Sequence, residues 1–112
     1  MNLIFKKKSY SFNLSTKVEN SKTTYLTKSG WIIKLTSNDK KIGFGEVSPL
    51  HKEDLRKCAK QLNLIPEYVE EFNLSEQINI FHPCIQSAIN SALAEINGKI
   101  IFKKNYYFDE ID

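Results

Sequence analysis

Residues 43–50 read GFGEVSPL, and the reading of these eight residues decides the fold. Two glycines around Phe44 invite comparison with a phosphate-binding loop. A dinucleotide fingerprint needs a third glycine, which would fall on Ser48, and it needs a strand before the loop and a helix after it inside a βαβ unit. Both conditions fail, and the lysine that a phosphate loop places after its glycines is absent. The glycines are better explained by conformation. Missing side chains permit a bulge or the close approach of another backbone, and Gly45 frees space beside Glu46. Ile42 to Val47 is therefore read as a strand that Pro49 halts.

Working upstream, Gly30 opens Trp31-Ile32-Ile33-Lys34-Leu35-Thr36, a run dense in β-branched and aromatic residues, and Ser37-Asn38-Asp39-Lys40 supplies the turn that joins it to the Ile42 strand. Between Leu3 and Leu14 the pattern drifts toward alternation, with Tyr10, Phe12 and Leu14 on one side and Ser9, Ser11 and Asn13 on the other. Three strands in this order predict an antiparallel meander. Residues 15–29 (STKVENSKTTYLTKS) are polar and without period, which predicts a long loop. Loops of that length usually bind or cover something, although a wide surface hairpin connection explains the same residues. The run Lys6-Lys7-Lys8 beside Tyr10 and Phe12 could be a stacking platform for single-stranded nucleic acid, but the solvated part of an edge strand is the simpler reading.

Downstream of Pro49 the period changes to helical. Leu55, Cys58, Ala59 and Leu62 mark one face, with Glu53 and Asp54 in the first turn where they complement the helix dipole. Pro66 suits a first helical position, and Ile65, Val69 and Phe72 predict a shorter helix there. Ser75 is a candidate cap for a brief turn holding Ile78 and Phe81. The clearest helix carries Ile85, Ala88, Ile89, Ala92, Leu93 and Ile96 on one face, with Pro83 near its start and Gly98 just past its end. Its small residues Ala88 and Ala92 would let another backbone come close. The fold class is α+β: a β-meander followed by a helical half.

At 112 residues, 41% hydrophobic and 26% charged, the chain fits one globular core. The net charge of +3 decides little, because every basic residue except Arg56 is lysine and the bidentate arginine contacts that favour nucleic acid are nearly missing. No nucleic-acid or membrane partner is expected, and a cytoplasmic location is. Cys58 and Cys84 lack the paired spacing of a zinc or redox motif and read as small buried hydrophobes; His51 and His82 have no evident ligand partners. Glu46 has no second carboxylate or histidine nearby in sequence, so no catalytic constellation can be assembled. Beyond Gly98, the segment IIFKKNYYFDEID has strand-like apolar groups with no later partner, which predicts that it begins a further unit of a longer protein.

The Gly-x-Gly-Glu-Val-x-Pro-Leu stretch, the meander with its long first loop and the helix ending Ser-Ala-Leu-Ala-Glu-Ile together resemble the amino-terminal capping domain of the enolase superfamily. Gly43 to Leu50 and Ser91 to Ile96 are most similar to its o-succinylbenzoate synthase family. Lys28-Ser29 stands where members often carry arginine and an acid, and Asn90 where they often carry an acid. The resemblance implies a cap over residues 1–98 and the start of a (β/α)-barrel over 99–112. It implies that the loop after the first strand and the loop after the third, Ser15–Ser29 and Ser48–His51, wall a substrate pocket. Lys22, Thr23, Thr24, Lys28, Ser48, Pro49 and Leu50 are the pocket candidates. The family's chemistry is a syn dehydration begun by proton abstraction beside a carboxylate, with a lysine base and a divalent metal, usually Mg2+, both on the barrel. No catalytic residue, metal ligand or cofactor is expected within these 112 residues; the expected partners are the barrel of the same polypeptide and a small carboxylate substrate. Dipeptide epimerases and N-acylamino-acid racemases share this cap, and a free-standing binding or scaffold module is the reading outside the enzyme class.

Overall fold

The computed structural model describes residues 2–17 and 23–98. Three strands open the chain: β1 (Asn2–Lys17), β2 (Thr23–Ser37) and β3 (Ile42–Val47). Then follow α1 (Lys52–Leu62), β4 (Tyr68–Glu70), α2 (Glu71–Gln77), a 3-10 turn (Ile78–Ile80) and α3 (Pro83–Ile96). The fold is α+β, with one antiparallel sheet in the order β3-β2-β1-β4.

The meander expected from the sequence is present, and it gains a fourth strand. Leu3 pairs with Val69, and the Phe5 amide donates to the Glu67 carbonyl at 2.6 Å, so the segment after Pro66 is drawn onto the free edge of β1 instead of coiling. The helix predicted from Pro66 is therefore corrected to a short strand. Ile65 is buried and Val69 packs against the core, while Phe72, placed on the same predicted stripe, is 66% exposed on α2. Ser75 caps nothing; it lies inside α2, and the 3-10 turn follows Gln77.

A second correction concerns residues 15–29. Ser15 pairs with Tyr25, Thr16 with Thr24 and Lys17 with Thr23, and pairing continues without a break down to Leu3 and Ser37. This stretch is a long β-hairpin and not a loop, apart from residues 18–22, which lie outside the described residues. Ser and Thr are compatible with strands on either face, so polarity alone concealed the pairing. The β2–β3 turn is where the sequence puts it. Ser37, the buried polar residue of that turn, donates its hydroxyl to the Asp39 carboxylate and accepts from the Lys41 amide at 3.0 Å, while Lys40 takes a left-handed conformation at φ 67°. The hydroxyl bond from Ser37 holds the Asp39 carboxyl below its ordinary range.

The helices lie on one face of the sheet. Leu3, Phe5, Ile33, Leu35 and Val47 project into a core shared with Cys58 and Leu62 of α1, Leu74 of α2 and the buried stripe of α3. That stripe is the predicted one, Ile85, Ala88, Ile89, Ala92 and Ile96, with Leu93 partly buried, and Gly98 ends the helix at φ +73°. Gly43 and Gly45 meet α3 backbone to backbone. A Cβ on Gly43 would lie 1.9 Å from the Ala92 carbonyl oxygen, and one on Gly45 would lie 2.1 Å from that of Ala88. The expectation of close approach, made separately from the glycines and from the alanines, is met by one and the same contact.

Gly45→Ala is expected to destabilise the domain by about 2–3 kcal/mol, the usual cost of forcing atoms into a packed core. Gly98→Ala, at an open position with a left-handed backbone, is expected to cost only about 1 kcal/mol. Urea denaturation of the two variants beside the parent checks the order.

Candidate functional site

β3 runs antiparallel to β2, and Val47 pairs with Trp31. Its exit at Ser48 therefore points toward the end of the sheet to which the β1–β2 hairpin extends. Ser48 is half-buried, Pro49 buried and Leu50 92% exposed. His51 follows as the residue before α1, whose first turn carries Glu53 and Asp54 as expected.

Lys28 is the hairpin candidate that reaches this rim. Its Nζ lies 3.5 Å from Glu46 Oε2, and the same carboxylate oxygen accepts a 2.6 Å hydrogen bond from the Tyr10 hydroxyl. Gly30, opposite Tyr10 across the ladder, makes room: a Cβ there would lie 2.8 Å from the Tyr10 hydroxyl and 2.2 Å from the Val47 carbonyl oxygen. Three strands are thus tied together through one acid at the point where β3 leaves the sheet. Glu46 is held structurally, in line with its lack of a partner acid or histidine in sequence.

Thr23 and Thr24 pair with Lys17 and Thr16 high on the hairpin, four to five residues past Lys28, about 13–17 Å along the strand. They are not beside Ser48. Lys22 lies outside the described residues, as does the segment 99–112. The structure places Lys28 against Glu46, two residues before Ser48, and sets Thr23 and Thr24 apart from that exit. Sequence reasoning missed Tyr10 as part of this cluster. Its only signal was the cross-strand glycine.

A second polar cluster lies between the helices. His82 precedes Pro83, and its Nδ1 accepts from the Cys84 amide at 3.1 Å, so the neutral ring carries its proton on Nε2, which faces Asp54 Oδ1 at 3.2 Å. The His82 amide donates to Gln61 Oε1 at 2.6 Å. These bonds fasten the start of α3 to both ends of α1. His82 is thus a cap and a tie. Cys58 is fully buried, and burial, with smaller contributions from Cys84 and Asp54, pushes its thiol up to about 11. Among the described residues no group of three or more His, Cys, Asp or Glu is arranged to hold a metal, and no helix is long and apolar enough to cross a membrane.

Comparisons with protein-family models, with curated proteins and with solved structures return no match.

Two predictions follow from these clusters. In a double-mutant cycle of Tyr10→Phe and Glu46→Ala, the coupling read by urea denaturation is expected near 1 kcal/mol, the usual net value of one part-buried hydrogen bond. For Cys58, the folded thiol keeps its proton above pH 9 while the unfolded one ionises. Its contribution is therefore complete below about pH 9 and is lost as pH rises toward about 11. Stability should fall across that window, and Cys58→Ala should flatten the fall.

Proposed function

We propose that this domain is the cap of an enolase-superfamily enzyme of the o-succinylbenzoate synthase type. In this reading residues 1–98 cover the mouth of a (β/α)-barrel into which residues 99–112 lead. The barrel supplies the lysine base and the acidic ligands of Mg2+, and the metal would stabilise the charge that develops on the substrate carboxylate. The cap contributes substrate selection and exclusion of water.

One observation carries the reading. β3 exits toward the end of the sheet to which the first hairpin extends, and Leu50, a large apolar side chain three residues past Val47, is 92% exposed. An isolated exposed leucine needs no explanation. A leucine that follows a buried proline at this exit supports a contact with something beyond the domain. The buried Pro49 and the Glu46 tie keep the rim rigid, so selectivity arises from side chains at Ser48 and Leu50. Syn dehydration of a cyclohexadiene carboxylate is the chemistry that the likeness of Gly43–Leu50 and Ser91–Ile96 favours.

The test is to express the reading frame that contains these residues and assay dehydration of the cyclohexadiene substrate with Mg2+, beside residues 1–112 alone. Activity is expected only when a barrel-length continuation is present, and Leu50→Ala should lower kcat/KM about 10- to 100-fold, the effect of removing an apolar pocket contact. A frame that ends near Asp112 would favour a free-standing module. A longer protein that epimerises dipeptides or racemises N-acylamino acids, without dehydrating, would replace the substrate assignment while keeping the cap.

A further inference from the structure

The helices cover the face of the sheet that carries Ile33, Leu35, Gly43, Gly45 and Val47. Strand alternation puts Ile32 and Phe44 on the opposite face, together with Lys6, Lys8, Tyr10, Lys34 and Glu46. On a sheet face left to solvent, such apolar residues remain partly exposed. Ile32 is 2% exposed and Phe44 4%, yet neither belongs to the core on the helix side.

For Ile32, in the second strand, the stems of neighbouring lysines offer part of a cover. Phe44 is different, because among the described strands β3 is the last at its edge of the sheet. Burial of a phenylalanine at that place requires a further layer.

The chain itself leads there. α3 ends alongside β3: Glu95 Oε1 accepts the outward amide of Phe44 at 3.1 Å, and Gly98 turns the backbone through φ +73° one turn later. Gly98, the last described residue, therefore follows a helix end at the edge that Phe44 occupies, and residues 99–112 come next in sequence. Fourteen residues extended reach about 45 Å, whereas crossing the sheet takes about 15 Å. The composition matches the face. Ile100, Ile101 and Phe102 come first, Tyr106, Tyr107 and Phe108 next, and the acids Asp109, Glu110 and Asp112 last. The face offers an apolar centre at Ile32 and Phe44 bordered by Lys6, Lys8 and Lys34.

We propose that the helix-free face of the sheet is a docking surface for residues 99–112 of the same chain, with the apolar groups over Phe44 and Ile32 and the acidic end against the β1 and β2 lysines. The sheet then has apolar layers on both sides. The assignment does not rest on the enzyme reading, with which it agrees where residues 99–112 cross the sheet before a barrel begins, and its test involves neither substrate nor metal.

The experiment uses the full 112-residue chain. Zero-length carbodiimide coupling at low protein concentration, mapped by mass spectrometry, is expected to join Lys6, Lys8 or Lys34 to Asp109, Glu110 or Asp112 within monomers. In parallel, Phe102→Ser, which leaves the described core untouched, is expected to raise the fluorescence of an apolar-surface dye several-fold while helix content by circular dichroism is unchanged. Cross-links confined to a covalent dimer would give the face to a second copy and overturn the proposal. So would the absence of these cross-links, or dye binding that Phe102→Ser does not change.

Discussion

The structure depends on one contact between backbones. Gly43 and Gly45 of β3 lie against the carbonyls of Ala92 and Ala88 of α3, at a separation that leaves no room for a single carbon on either glycine. Small residues are needed on both sides, and the sequence supplies them on both. At that distance Glu95, one turn past Ala92, can reach around β3 and take the Phe44 amide, which would otherwise be an unpaired donor at the sheet's edge. Dense packing follows. Ile85, Ile89 and Val47 are fully buried beside the contact.

What α3 fixes, the rest of the sheet inherits. β3 is held from one side by α3 and from the other by its ladder to β2, so the direction of its exit at Ser48 has little freedom. Glu46, on the face away from α3, takes Tyr10 from β1 and Lys28 from β2, and in this way the hairpin is aligned with that exit. The Lys28 pair is largely exposed and contributes little energy. Its importance is geometric, since the part-buried Tyr10 bond and the space left by Gly30 set where the lysine can stand. On the helical side, His82 and Gln61 perform the corresponding task between α1 and α3. A domain arranged in this way separates a stiff frame from the rims that project beyond it.

The parts legible in the sequence are those where one physical signal dominated. α3 has a sustained apolar period bracketed by Pro83 and Gly98, and the β2–β3 turn has Ser, Asn and Asp in the right order; both appear where expected. The glycines of β3 were legible as a backbone approach because the nucleotide alternatives failed on spacing. β4 was not legible, because three residues carry no period, and a proline at position 66 matches a helix start as well as a bend into a strand. The upper hairpin was hidden because Ser, Thr and Lys show no apolar alternation, and pairing there is decided by the continuous register below it. At the candidate site, Ser48, Pro49 and Leu50 could be read from the end of a strand. Tyr10 and His82 could not, since each acts through a partner thirty or so residues away in sequence.

β1 shows why its own alternation was misleading. Leu3 and Phe5 point to the helices, whereas Tyr10 shares the opposite face with Lys6 and Lys8, and the ladder to β2 is unbroken between them. The strand changes its apolar side along its length without a bulge. Such a strand cannot be assigned one buried face, yet its register is strongly specified. A slip of one residue would move Leu3 and Phe5 out of the core and take Tyr10 away from Glu46. In β3 the same slip would bring Phe44 or Glu46 against the Ala88 and Ala92 carbonyls, where even a methyl group does not fit. Requirements on both faces thus select the same alignment, and they do so at the strand whose end forms the candidate rim.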